Sequence, residues 1–236
     1  MSLSAIFSEA LYFFRNHLRQ LAILTGPLLL LQVGIQLWLG MQLQQMDVEN
    51  PEFSFSHMAA MMALLLIFSW LIAALTAFLD WRSAGHEPTN NQVLFGSLQF
   101  VPTLLLAGVF SGMAIIAPTM LAAAFGPLWI IGLGISAYLF ARLAYVNFMV
   151  VTEKLTPLVA IKSSFSFSGP IVMKTMLVLL MYVPVSLIGG SLSQLAGALG
   201  LPAQIIIETL TAFFGLFVNI ALFRLYMVTR NPPAVN

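Results

Sequence analysis

The sequence predicts an all-α polytopic membrane protein: six transmembrane helices with both termini cytoplasmic, plus short amphipathic elbow helices. Three observations carry that prediction. Hydrophobic residues make up 60% of the chain and charged residues only 7%, against roughly 25% charged in soluble domains, so no soluble fold could cover the apolar surface. A span needs about 20 mostly apolar residues, and 236 residues hold six such spans with short connections and no separate soluble domain. All nine Lys and Arg fall on one side once the chain is threaded with its N-terminus in the cytoplasm.

Leu3, Ile6, Ala10, Phe14 and Leu18 recur near helical spacing while Ser4, Ser8, Arg15, Asn16 and Arg19 fill other faces. This predicts an interfacial helix over about Leu3–Gln20; the alternative is a plain extension of the first span. Span 1 follows over about Leu21–Leu43, with Pro27 near its start. The next loop carries Asp47, Glu49 and Glu52 and no basic residue, which suits the outside. Span 2, about Met58–Leu79, ends in Asp80-Trp81-Arg82, where the ring suits headgroup level and the arginine snorkels to phosphates.

Thr89 to Gln99 predicts a capped second elbow with Leu94, Leu98 and Val101 on one face. Span 3 covers about Phe100–Met120, with Pro102 and Pro118 near its ends, and an uncharged tight turn, LAAAFG, leads to span 4, about Pro127–Val151. That span exits at Glu153-Lys154, and Thr156-Pro157 opens a third elbow with Leu158, Ile161 and Phe165 as its stripe. Span 5 covers about Ile171–Ser191 and span 6 about Ala203–Val228, before the short tail NPPAVN.

Threaded this way, Arg15, Arg19, Arg82, Arg142, Lys154, Lys162, Lys174, Arg224 and Arg230 are all cytoplasmic. Lys and Arg placement sets topology, so the reverse orientation would translocate or bury every one. The chain reads as a single membrane domain over 1–236, with units of about 1–87, 88–154 and 155–230. Each unit is an elbow, two antiparallel spans and an aromatic-plus-arginine exit: FLDWR, FARLAY and FRLY. Two readings stand, a pseudo-threefold repeat or the shared grammar of membrane hairpins.

The segments FFRNHLRQLAIL and ALFRLYMVTR, with the central pattern Arg142, Tyr145, Glu153, Lys154, Pro157, Ala160 and Ser163, resemble the YciC-type family of bacterial inner-membrane proteins. The central portion is also similar to the membrane domain attached to some glycerophosphodiester phosphodiesterases. The resemblance implies a six-span protein of the bacterial cytoplasmic membrane with a poorly defined role, and it supplies no catalytic residues. The sequence carries no soluble barrel of the kind those phosphodiesterases use, so hydrolysis is not expected from it.

Polar groups within spans are costly and are the first functional candidates. Glu208 lies about two turns into span 6. It is protonated, hydrogen-bonded to Gln194 or Gln204, or near water because the span begins later. Arg142 falls well inside an uninterrupted span 4 and needs Asn147, a carbonyl or a lipid phosphate as partner. Arg82, Arg142 and Arg224 are candidate lipid-headgroup contacts beneath the elbows; snorkelling by three positive-inside anchors is the more economical reading. Asn219 is a candidate for an interhelical hydrogen bond. The GxxxG match at Gly108 and Gly112 predicts close packing within the monomer.

Cysteine is absent, which removes disulfides and thiolate chemistry. His17, His57 and His86 lie on different faces, and Met58, Met61 and Met62 are expected as apolar filling, so no metal and no cofactor is expected. The near-neutral balance gives no argument for nucleic acid, and membrane lipids are the expected partners. No early basic cluster precedes a short apolar core, so no cleaved signal peptide is expected. The reading is a non-enzymatic inner-membrane protein of envelope or lipid homeostasis. The alternative is a small transporter or lipid flippase, with Pro102, Pro118 and Pro184 breaking spans 3 and 5.

Overall fold

The computed structural model describes residues 2–46 and 53–230; the acidic loop residues Asp47, Glu49 and Glu52 and the NPPAVN tail lie outside the described residues. Six helical segments are long and apolar enough to cross a membrane, and the chain is a multi-pass integral membrane protein. Its helices are α1 (Leu3–Asn16), α2 (Leu18–Gln44), α3 (Phe55–Ser83), α4 (Asn90–Ser97), α5 (Val101–Ala123), α6 (Trp129–Leu143), α7 (Val146–Thr152), α8 (Pro157–Ser168), α9 (Val172–Leu179), α10 (Tyr182–Gly197) and α11 (Leu201–Arg230). Span 4 is α6 with α7, and span 5 is α9 with α10.

The first elbow is a helix of its own. Ser2 caps it by accepting from the Ala5 N–H at 3.3 Å, and it stops at His17 before α2 begins. Ile6, Ala10 and Phe14 are buried, with Phe14 5.5 Å from Phe213 and Phe7 6.4 Å from Phe217 between ring centroids. Thr89 and Gln92 form the reciprocal cap of α4, as the sequence predicts. Trp70 Nε1 donates to the Leu94 carbonyl at 3.1 Å, tying this elbow to α3.

The other two elbows meet expectation in part: Leu94, Val101 and Ile161 are half-buried against the core, but the fully buried positions are different ones. In α4 it is Val93 and Ser97 that are buried, while Leu98 is exposed. In α8 the buried positions are Ala160, Ser164 and Ser168, whereas Leu158 is 67% and Phe165 41% exposed. α8 lies against α5, α6 and α7, and close approach between helices admits only small side chains at the contact.

Two spans are interrupted. Span 5 breaks at Leu180–Met181 because Pro184 lacks an N–H and its ring clashes with the carbonyl four residues back, that of Leu180. That carbonyl instead accepts the Val183 N–H at 3.0 Å. Span 4, expected to be uninterrupted, breaks at Ala144–Tyr145. Span 3 was expected to break at its prolines, yet α5 runs through Pro118, and Pro102 sits harmlessly in its first turn.

The spans form three hairpins, α2/α3, α5/α6 and α10/α11, closed into a ring by α3 against α5, α6 against α9, and α11 against α2. The nine basic residues mark one end of this bundle, and there the second helix of each hairpin carries the buried core: Leu71–Leu79, Tyr145–Val151 and much of Phe213–Tyr226. Phe148 meets Phe223 at 5.4 Å and Tyr226 at 5.8 Å, and the Tyr145 hydroxyl bonds Thr175 Oγ1 at 2.6 Å.

In the far half the hairpins stand apart. Only Gly132 and Ser136 are buried in α6 before Ala141, while Ile130, Ile131, Leu133 and Ile135, which point in different directions, are all exposed. α10 repeats the pattern, burying Gly189, Ser193 and Ala196 and exposing Leu187, Ile188, Leu192 and Leu195. The polar contacts described there, such as Thr119 to Ser136 at 2.7 Å, stay within one hairpin. The tight uncharged turns predicted at this end are present, with Gly126 (φ +67°) and Gly200 (φ +104°) in a left-handed conformation that disfavours a Cβ.

Candidate functional site

The chemistry-bearing residues gather at the basic end, where each exit arginine is held by a different partner set. Arg82, at the end of α3, donates to Gln20 Oε1 at 2.8 Å and to Glu87 Oε1 at 3.2 Å. Gln20 in turn donates to the Pro88 carbonyl at 2.9 Å, so the start of α2 and the turn after α3 are stitched together. Arg224 pairs with Glu9 of α1, joining the last span to the first elbow. Among the described residues the Arg82, Arg142 and Arg224 side chains share no bonding partner, and the described clefts at this end are each lined by at most one of them.

Arg142 finds the carbonyl that the sequence reading allowed for. It donates to the Tyr138 hydroxyl at 2.7 Å and to the Phe165 carbonyl, and its guanidinium sits 3.9 Å from the Phe165 ring centroid, a cation–π arrangement. Asn147 is not its partner and makes no side-chain hydrogen bond among the described residues. At the span 4 break, the backbone carbonyl of Arg142 accepts from Ser164 Oγ at 2.9 Å and Ser168 Oγ at 3.0 Å. The buried serines of α8 thus cap the broken end of α6, where an unpaired carbonyl in an apolar setting would be costly.

Glu208 occupies a separate place in the far half of the third hairpin. Its Oε1 accepts from Ser193 Oγ at 2.5 Å and Gln204 Nε2 at 3.1 Å. Gln204 is one of the partners expected; Ser193 of α10 takes the place of Gln194. Asn219 donates to the Tyr182 hydroxyl at 2.8 Å, the interhelical bond expected of it. Gly108 and Gly112 face open space where a Cβ would be, so the expected packing of that GxxxG is not present in the monomer. The close approach occurs instead at Gly132, against Pro118, Thr119 and Ala122, and at Gly189, against Thr211.

Several partners were not singled out in the sequence: Glu9, Gln20, Glu87, Ser164, Ser168 and Ser193. Charge scarcity was the available signal. Of eight carboxylates, Glu9, Glu87 and Glu153 each face a cation at the basic end, the last with Arg230 at 3.6 Å and the Tyr226 hydroxyl. No group of three His, Asp or Glu converges among the described residues. His17 stacks on Phe13 at 4.3 Å, and His57 caps α3 through Ser54.

Several clefts open at this end. One, about 410 Å³, lies between α1 and the ends of α3 and α11, with Phe13, Leu79, Ile220 and Phe223 around the Glu9–Arg224 pair. Another, about 590 Å³, lies between the α1–α2 junction and the turn after α3, and is polar. Comparison with models of known protein families, with curated proteins and with solved structures finds no match. The resemblance to the YciC-type family therefore rests on the sequence motifs alone.

Proposed function

We propose that this is a non-enzymatic protein of the bacterial inner membrane, of the YciC type, which binds phospholipid at its basic end and serves envelope or lipid homeostasis. The basic end faces the cytoplasm, by the rule that Lys and Arg remain on that side. The observation that carries the reading is the concentration of all nine cations at one end, with clefts of about 410 and 590 Å³ among them and three apolar hairpins that part in the far half. Anionic lipid attracts such an end at about 1 kcal/mol per basic residue near the surface. The order of contacts supports a pseudo-threefold repeat: α4 and α8 each lie on the hairpin before them, and α1 lies on α11 of the last.

The test is lipid retention. Full-length protein extracted in mild detergent is expected to carry phospholipid, detected by native mass spectrometry, and Arg82→Gln, Arg142→Gln and Arg224→Gln together to shed much of it. Protein that carries no phospholipid, or keeps the same amount in the triple variant with the fold intact, would sink the reading. A small transporter or flippase is the second reading, favoured by Glu208 bonded within the third hairpin and by the break at Leu180–Met181 in the same hairpin. Flux of labelled lipid or solute through reconstituted vesicles, abolished by Glu208→Gln, would replace the first reading with the second.

A further inference from the structure

The polar cleft at the α1–α2 junction combines features that neither the sequence motifs nor the exit arginines alone supply. Arg82 reaches it from the end of α3, with only 19% of its side chain exposed, and Gln20 holds it in place at 2.8 Å. Its carboxylate partner, Glu87, also lines the cleft but is 85% exposed, and exposed pairs are worth about 0–1 kcal/mol, so a phosphate can displace Glu87 from the guanidinium at little cost. Arg19, across the cleft on the first turn of α2, is exposed and forms no ion pair among the described residues.

The second feature lies on α2 beyond Arg19. Residues four apart on a helix lie one above the other, and Arg19, Ile23, Pro27 and Leu31 form such an exposed row, with Ile23 itself lining the cleft. From Arg19 to Leu31 the helix rises roughly 18 Å, about the depth of one leaflet in a hydrocarbon core of about 30 Å. A cationic seat therefore continues directly into an apolar track of acyl-chain length.

We propose that this cleft seats the phosphate of a glycerophospholipid from the adjoining leaflet, with Arg19 and Arg82 on the phosphate and an acyl chain along Ile23, Pro27 and Leu31. This deepens the lipid-binding reading above and rests on it. The recognised chemistry is a phosphate group, and the apolar track selects a lipid over free phosphate.

The test uses the full chain in maltoside detergent, stripped of lipid, with binding read by native mass spectrometry. The probes are dihexanoyl phosphatidylglycerol, dihexanoyl phosphatidylethanolamine, dihexanoylglycerol and inorganic phosphate. Both phospholipids are expected to bind and dihexanoylglycerol to bind far less. Arg19→Gln, on an exposed side chain, is expected to weaken phospholipid binding about 5-fold without changing the thermal midpoint, while Arg19→Lys keeps most of it. Inorganic phosphate binding as tightly as the phospholipids would overturn the lipid assignment. Unchanged binding in Arg19→Gln with a loss in Arg142→Gln or Arg224→Gln would overturn this cleft and leave the broader reading standing; no phospholipid bound to the unaltered chain would remove both.

Discussion

Replacing Gly132 by alanine tests a helix contact made largely by backbone atoms. A Cβ there would lie 2.5 Å from the Pro118 carbonyl oxygen, 2.6 Å from Ala122 Cβ and 2.9 Å from Thr119 Cα. Backbone atoms form two of these three contacts, so no side-chain rotation relieves them. Ordinary contact begins near 3.4 Å, and α5 and α6 must separate by roughly 0.9 Å to reach it. Overpacking of this kind costs about 1–3 kcal/mol. The 2.7 Å bond between Thr119 and Ser136 on the same interface is strained by that movement, adding up to about 0.6 kcal/mol for a typical interhelical bond. Alanine recovers about 0.5–1 kcal/mol of helix propensity over glycine, leaving a net loss of about 1.5 kcal/mol at the middle of these ranges and at most about 3 kcal/mol. Gly134, on the same helix, has nothing within 4 Å of its Cβ position, so Gly134→Ala is expected to stabilise by the propensity gain alone. Unfolding of both variants in mixed micelles of rising denaturing-detergent fraction measures the two. Equal, stabilising effects at both positions would show that α5 and α6 do not meet at Gly132.

Removing both hydroxyls in Ser164→Ala with Ser168→Ala leaves the Arg142 carbonyl without its donors and is expected to cost about 1–3 kcal/mol in the same unfolding assay. Each single change should cost less than half of that, because one serine still serves the carbonyl. For the half-exposed Glu9–Arg224 pair, a double-mutant cycle with glutamine at each position should return a coupling of only about 0.2–1 kcal/mol; a value several-fold larger would mean the pair is shielded from water. In the topology proposed, a cysteine placed at Lys162 in intact cells should be labelled by impermeant maleimide only after the inner membrane is opened. Labelling in intact spheroplasts would reverse the orientation.

Spans were legible because crossing a bilayer imposes a length and an apolar content that few other structures need, and the sequence boundaries fell within a few residues of helix ends except at Ser191, beyond which α10 continues to Gly197. The elbow faces were less legible for a physical reason. In water the large apolar residue turns inward, but Leu158 and Phe165 have no such drive at a membrane surface, and the small Ala160, Ser164 and Ser168 face the neighbouring helices instead. Pro184 announced the break in span 5, whereas nothing at Ala144–Tyr145 announced the one in span 4. What satisfies it is tertiary, the Ser164 and Ser168 hydroxyls of a different helix that donate to the Arg142 carbonyl. Gly108 and Gly112 match GxxxG yet meet nothing within 4 Å, while Gly132 and Gly189, each followed four residues on by a serine and not a second glycine, carry the close contacts. A spacing rule cannot tell which side of a helix its neighbour will occupy.

The uneven cohesion of the bundle has a mechanical meaning. Because the buried aromatic core lies in one half and the described polar contacts of the other half stay within each pair of helices, lateral squeezing of the two leaflets acts on different structures. Compression on the locked side works against a packed aromatic core, while compression on the open side meets large apolar side chains exposed around each helix.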